Sequence, residues 1–298
     1  MSDSVLSQEQ IDRFHRDGYL VLPLFLSEED VNALLSRAKA LLQEFSLEGH
    51  PMTKFETGGP DSKHVGDEAS RTYFLTSGDK IRFFLEEDAV TNGQLNRPKE
   101  QAVNKIGHAL HELDPVFRRV TLENPKLQTL AKQLRFHEDP RVLQSMVICK
   151  QASIGGAVPP HNDSTFLYTD PPSALGFWFA LEDCTPTNGA LSFLPGSHKT
   201  TKVAKRFVRL PEGGTDFQTL EPVSAEPTND DGYVLEACPA GSLVLIHGAV
   251  LHKSERNTSA KTRFAYTFHM IEGNATYDER NWLQPTAAMP FSRLFQSN

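Results

Sequence analysis

Cysteine is scarce in this chain: Cys149, Cys184 and Cys238 are the only three in 298 residues, odd in number and widely separated. That argues against a disulfide framework and against a CxxC zinc or redox site. Each is expected to be a small, buried apolar residue. Long apolar runs are missing as well, and none approaches the roughly 20 residues that a bilayer span requires. The opening MSDSVLSQEQIDRF lacks a basic start and an apolar core, so no secretory signal is expected. The closing LFQSN is not an SKL-type peroxisomal address. A cytosolic placement is the resulting expectation. Excess basic charge is absent too, with 30 Lys and Arg against 38 Asp and Glu and a net charge of −8. Such a chain is poorly suited to unspecific binding of nucleic acid or anionic membranes. Neither a Gly/Ser-rich nor a Pro-rich linker divides it, and no repeat is visible. One domain over 1–298 is therefore expected, with about 1–140 as helix-rich support and about 141–290 as β core.

Local signals begin with Ser7 and Gln10, spaced as a capping box, and Gly18 as the stop of the first helix. YLVLPLF (19–25) reads as a short strand weakened by Pro23. Ser27 caps a second helix, whose Val31, Leu34, Leu35, Ala38 and Leu42 keep the helical period. YFLTSGDKIRFFLE (73–86) reads as two strands around a Ser-Gly-Asp turn. A helical region broken by Pro115 and Pro125 is expected up to about Gln133. From 141 onward short β-rich runs recur between turn signals: VLQSMVICK, GFWFALEDC, GALSFLP, GSLVLIHGAVL and RFAYTFHMI. This texture predicts a barrel or jelly roll behind a helix-rich N-terminal half.

Chemistry enters at His161-Asn162-Asp163. Gly155, Gly156, Pro159 and Pro160 precede it and favour extended backbone. In a strand, residues two apart share a face, so an imidazole and a carboxylate would enter one cavity. With a distant histidine they make the facial triad that leaves metal positions open for a co-substrate and dioxygen. The spacing itself is not distinctive, since His137-Glu138-Asp139 repeats it near a helix end, where a solvated terminus is the plainer explanation. A surface turn is the plain alternative for His161 and Asp163. The distal histidine is His247 or His252, both after the apolar GSLVLI run. His247 also reads as a packed core histidine hydrogen-bonded to backbone. Arg263, on the next strand, suits a bidentate grip on the distal carboxylate of 2-oxoglutarate. Its plain alternative is a surface strand arginine.

In that order of motifs (HxD, Trp178, HxSxxN, then an arginine) the chain resembles the phytanoyl-CoA dioxygenase family, and within it the phytanoyl-CoA dioxygenase domain-containing proteins. The resemblance runs from about Leu6 to Pro290. It is carried by YFLTSGDKIRFF, NKIGHALHELDPVF, NGALSFLPGSH, LIHGAVLHKS and NWLQPT. It implies a double-stranded β-helix, a distorted jelly roll, with His161, Asp163 and His252 as iron(II) ligands. It also implies 2-oxoglutarate contacts at Arg263, Ser254, Trp178 and Lys105, dioxygen as the second co-substrate, and a structural His198. The expected activity is hydroxylation of an aliphatic carbon on a small, largely apolar substrate, with succinate and carbon dioxide as co-products. Acyl-CoA, fatty-acid-like and polyketide-type substrates, including fumonisin-type backbones, all fit. A cupin-like zinc or manganese hydrolase or isomerase and a non-catalytic 2-oxoglutarate or metal sensor are the rival classes.

Three further features bear on substrate. Lys199, Lys202, Lys205, Arg206 and Arg209 form a basic cluster, either a landing place for an anionic group or a solvated loop. Phe166, Tyr168, Phe177 and Phe179 are candidates to line an apolar cavity. Segments 48–70 and 210–232 are long enough to act as lids.

Overall fold

The structure, a computed structural model, describes residues 4–54, 67–221 and 232–295. Much of both expected lid segments, residues 55–66 and 222–231, lies outside the described residues. Two facing sheets build the core. The larger runs in the order Tyr19–Leu22, Leu243–His247, Leu175–Ala180, Arg263–Glu272, Pro140–Lys150, Val103–His108, Ile81–Leu85, and its neighbours are antiparallel. The smaller runs Val234–Glu236, Leu191–Phe193, His252–Ser254, Val158–His161, also antiparallel. This is the expected distorted jelly roll.

Strand alternation sorts the large sheet into two faces. Phe177, Phe179, Tyr266 and Phe268 point one way and pack with Phe14, Leu34, Phe117 and Leu127 of the helices. Trp178, Ala180, Ile246 and Ala265 point the other way and meet Leu191 and Phe193 of the small sheet. The helical half thus backs the large sheet, while the small sheet covers its opposite face. Cys149, Cys184 and Cys238 are free and buried as expected, but Cys184 and Cys238 lie opposite each other in a β-bridge, a nearness their sequence separation hides.

The helix signals at Ser7, Gly18 and Ser27 are realised. Ser7 and Gln10 form the reciprocal capping box, and Gly18 closes Gln8–Asp17 at φ 84°. The Ser27 side chain caps Glu28–Glu44. The first strand ends at Leu22, immediately before Pro23. Two expectations need correction. The first half of 73–86 is helical, within Glu68–Leu75, because the Asp67 side chain accepts the Ser70 N–H and starts a turn that buries Phe74. The expected helical region opens instead with the strand Val103–His108, paired on both sides. Pro115 and Pro125 start helices Pro115–Thr121 and Pro125–Leu134 rather than break one, since a proline at the first helical position loses no hydrogen bond.

Phe177 and Phe179 belong to this helix-facing core, not to a substrate cavity; both are fully buried, and Phe177 stacks on Phe268 at 4.7 Å. Replacing Phe177 by alanine is expected to destabilise the fold by about 3–5 kcal/mol, the usual cost of emptying a buried aromatic site. Urea unfolding of the two proteins measures it.

Candidate metal centre

His161 ends the strand Val158–His161, and His252 begins His252–Ser254. The two are register partners on neighbouring antiparallel strands, with ring centroids 4.2 Å apart. Asp163 does not share a strand with His161, as the two-residue spacing suggested. Asn162 is extended and its side chain accepts the Thr165 N–H at 3.0 Å, which starts the short 3-10 turn Asp163–Thr165. Ser164 N–H donates to the Gly248 carbonyl at 2.8 Å and anchors that turn to the loop before His252. The turn brings the carboxylate between the rings, with Asp163 Oδ1 3.7 Å from Nε2 of both histidines.

The rings are set for coordination by their far nitrogens. His161 Nδ1 donates to the Pro159 carbonyl at 2.9 Å and His252 Nδ1 to the Val250 carbonyl at 3.1 Å. A carbonyl only accepts, so each proton sits on Nδ1 and leaves an Nε2 lone pair facing Asp163. Burial pushes His161 down to about 3, with His252 acting the same way, so its ring is the neutral form a metal needs. Burial would raise the Asp163 carboxyl, but His252, His269 and His161 outweigh it and hold it well below the usual carboxylate range. The three ligand atoms lie within 4.8 Å of one another. Two imidazoles and one carboxylate on one side of a cleft are the donor set of a non-haem iron(II) site.

His269, which the sequence reading missed, completes the surroundings. Its Nε2 lies 3.3 Å from Asp163 Oδ2. The contact is close enough for attraction but leaves that oxygen without a well-formed hydrogen bond. Gln144 Nε2 approaches His269 Nδ1 at 3.5 Å from the adjacent strand. Gly176, opposite His269 in register, keeps room for the contact: a Cβ there would sit 3.3 Å from both Asp163 Oδ2 and His269 Nε2. A usable signal was present, since His269 is an even number of residues from Arg263 along one strand and so shares its face.

A cavity of about 90 Å³ adjoins the triad, with Lys105, Trp178, Ser254, Arg263, Thr267 and His269 in its wall. Arg263 is 1% exposed. Its Nη2 donates to the Gly189 carbonyl at 2.9 Å and to Ser254 Oγ at 3.2 Å, and its guanidinium lies 5.3 Å from the Trp178 ring. Nε and Nη1 are buried with no hydrogen-bond partner among the described residues. Unsatisfied buried donors are costly, and an anion in the cavity satisfies them. Lys105, expected as a further contact, also lines the cavity; burial pushes its amine down to about 7 against the pull of Glu86 and Asp163. Residues implied by the resemblance alone, Lys105, Trp178 and Ser254, thus converge with Arg263 beside the triad.

The alternatives fall elsewhere. His247 pairs with Leu175, accepts the Ala249 N–H on its Nδ1 at 3.1 Å, and packs on His198 and Phe136. His198 donates to the His15 carbonyl at 3.2 Å, away from the triad. His137 donates to the Ser173 carbonyl at 2.6 Å, and Asp139 pairs with Arg141 at 2.6 Å. The 199–209 segment divides in two: Lys199 and Lys202 are exposed, as a solvated loop would have them, whereas Lys205–Arg209 is a strand whose arginines are engaged within the fold. Arg206 is buried on Asp278 at 2.7 Å, Arg209 donates to the Trp282 and Leu75 carbonyls, and Lys202 pairs with Glu221. Tyr168 lies under Arg206, whereas Phe166 stands 6.0 Å from the His161 ring, at the metal centre.

Comparison with known proteins gives concordant findings. The family profile described as phytanoyl-CoA dioxygenase (PhyH) matches residues 14–265. Phytanoyl-CoA dioxygenase domain-containing protein 1 of Bos taurus is 45% identical, over 97% of this chain and 99% of that protein. Its Caenorhabditis elegans homolog is 44% identical over 96% and 98%. Among solved structures, EctD from S. alaskensis with bound Fe superposes with a TM-score of 0.62 at 22% identity, covering 95% of this chain and 84% of that one.

His252→Ala is expected to abolish iron(II) binding, while His247→Ala and Asp139→Asn keep it; titration of the apoprotein with iron(II) or cobalt(II) decides. His269→Phe should weaken metal binding by about 10–100-fold, the range typical when a group orienting a ligand is lost.

Proposed function

The chain belongs to the phytanoyl-CoA dioxygenase family, and from that premise we propose that it hydroxylates an aliphatic carbon of a small, largely apolar molecule. The protein is an iron(II)- and 2-oxoglutarate-dependent oxygenase. Bound iron and 2-oxoglutarate supply the activation of dioxygen, with succinate and carbon dioxide as co-products and one oxygen atom delivered to the substrate. The side chains do the rest by position and charge. His161, Asp163 and His252 hold the metal, their protonation fixed by the carbonyls of Pro159 and Val250. Arg263, with Ser254 and against Trp178, takes the distal carboxylate of 2-oxoglutarate, and Lys105 adds positive character from the same sheet, two strands away. The apolar wall residues Met146, Ile148, Val158, Leu191 and Ile246 limit water in the cleft. The whole chain acts as one catalytic unit, the helical half supporting the sheet that carries Arg263, Trp178 and Lys105.

The observation that carries this reading is the pair of partnerless Arg263 nitrogens buried beside the triad. A buried carboxylate grip beside the metal is what a chelating keto acid with a second carboxylate requires. For the substrate, the commitment of Arg206 and Arg209 to Asp278 and backbone carbonyls favours a free acid or neutral polyketide-like molecule over a coenzyme A thioester. Phe166, beside His161, is the aromatic side chain best placed to meet an apolar substrate near the metal. A small-molecule role in the cytosol accompanies the acidic charge of −8. No helix among the described residues is long and apolar enough to cross a membrane.

Arg263→Ala is expected to raise the KM for 2-oxoglutarate about thirtyfold or more, because losing one side of a buried charged pair costs about 2–5 kcal/mol. Iron affinity should change little, and succinate release without added substrate reads both. A screen of 2-oxoglutarate turnover across acyl-CoAs, free fatty acids and apolar natural-product scaffolds should show stimulation by an acid or a polyketide-type scaffold. Stimulation by acyl-CoA alone would reverse the substrate reading, and binding of 2-oxoglutarate without any turnover would identify a sensor.

A further inference from the structure

Lys150 is 2% exposed and has no part in the chemistry above. It ends the strand Pro140–Lys150 and lies opposite Arg263 in register. Its Nζ donates to the Glu255 carbonyl and lies 3.5 Å from the Ser254 carbonyl. Glu255 stands just past the end of the strand His252–Ser254, so its carbonyl takes its donor from outside the ladder. The surroundings are shaped to this one side chain. A Cβ at Gly189 would fall 2.8 Å from Lys150 Nζ and 2.5 Å from the Glu255 carbonyl oxygen. A Cβ at Gly155 would fall 2.7 Å from Lys150 Cα and 2.8 Å from its Cγ. Gly189 also has φ +84°, a conformation that side chains rarely adopt. Its carbonyl accepts from both Arg263 Nη2 and Ser254 Oγ, each at 2.9 Å.

Lysine, glycine, serine and arginine therefore form one connected frame behind the cavity. We propose that Lys150 is a positioning residue for 2-oxoglutarate, acting through Ser254, Glu255 and Gly189 to hold the Arg263 guanidinium in its carboxylate-receiving orientation. The inference rests on the reading that Arg263 takes the distal carboxylate. Burial pushes the Lys150 amine down to about 6, Arg263 acts in the same direction, and Glu86 and Glu255 oppose. At neutral pH the group is thus mainly an uncharged donor to carbonyls, a tie more than a counter-charge.

The test uses the full chain loaded with cobalt(II), with 2-oxoglutarate binding followed by calorimetry, and the iron(II) form for succinate release. Lys150→Met keeps the stem and removes the donor. It should weaken 2-oxoglutarate binding about tenfold, the scale of a lost buried hydrogen-bond donor, while cobalt(II) affinity and the limiting rate at saturating 2-oxoglutarate stay near those of the parent. Lys150→Gln, an uncharged donor, should recover much of the affinity. Lys150→Leu also removes the donor with a shorter apolar side chain and should give the same split, which keeps the question open to measurement if Lys150→Met does not fold. Unaltered 2-oxoglutarate affinity in Lys150→Met or, if that does not fold, in Lys150→Leu overturns the proposal. So does a parallel fall of metal affinity, limiting rate and 2-oxoglutarate affinity, the mark of a merely structural role. If the parent protein itself binds no 2-oxoglutarate, the reading of Arg263 fails instead.

Discussion

The pairing of His252 against His161 across two antiparallel strands is the contact on which the rest of the site depends. A slip of one residue would turn one imidazole out of the cleft, because side chains alternate faces along a strand. Several independent contacts oppose such a slip. His252 also pairs with Phe193 on its other side, so the central strand is held from both edges. The Ser164 N–H to Gly248 carbonyl bond ties the aspartate turn to the approach to His252. The cavity is thus framed mainly by strand ladders, with a three-residue turn supplying its carboxylate, and such placement is more exact than a flexible loop allows.

Between the sheets the protein collects an excess of buried basic groups. Lys105, Lys150 and Arg263 are each at most 5% exposed, and the buried acidic groups near them are Glu86 and Asp163, with Glu182 and Glu255 less buried. Burial pushes all three bases down, and it raises the Glu86 carboxyl. This arrangement favours the entry of a dianion, which gains partners in a setting where water screens little. The large sheet bears that electrostatic load on one face and its aromatic core on the other, so packing of the N-terminal helices supports the charged face from behind.

Much of this was legible in the amino-acid order. Capping residues marked helix starts at Ser7 and Ser27, and β-rich runs after 141 marked the strands that carry Trp178 and Arg263. Less legible were elements whose local signal is ambiguous. The aromatic run at 73–75 suits a strand until the Asp67 cap is weighed. Val103–His108 is short, follows one helical turn and precedes another, and acquires its strand character from partners on both sides. The spacing His161-x-Asp163 identified the ligands through an incorrect local geometry, since a turn rather than a strand presents the carboxylate. Arg206 and Arg209 looked like surface charge because sequence alone does not reveal Asp278 or the Trp282 carbonyl beside them. His269 and Lys150 lacked a motif; only strand register shows what they face.

The two oxygens of Asp163 live in different company. Oδ1 stands equidistant from the two imidazoles, while Oδ2 is turned toward His269 in space that Gly176 leaves open. The consequence is one of denticity. A carboxylate with both oxygens at liberty is able to chelate, occupying two places around a metal. With Oδ2 turned toward His269 and away from the two imidazoles, Oδ1 is the oxygen that would meet a metal between the rings, and the protein would contribute three donors. A six-coordinate ion held by those three donors would leave three places for exogenous molecules, the number that a chelating keto acid and dioxygen would need together. That preference for Oδ1 would be set by Gly176 and His269, neither of which is among the three donors.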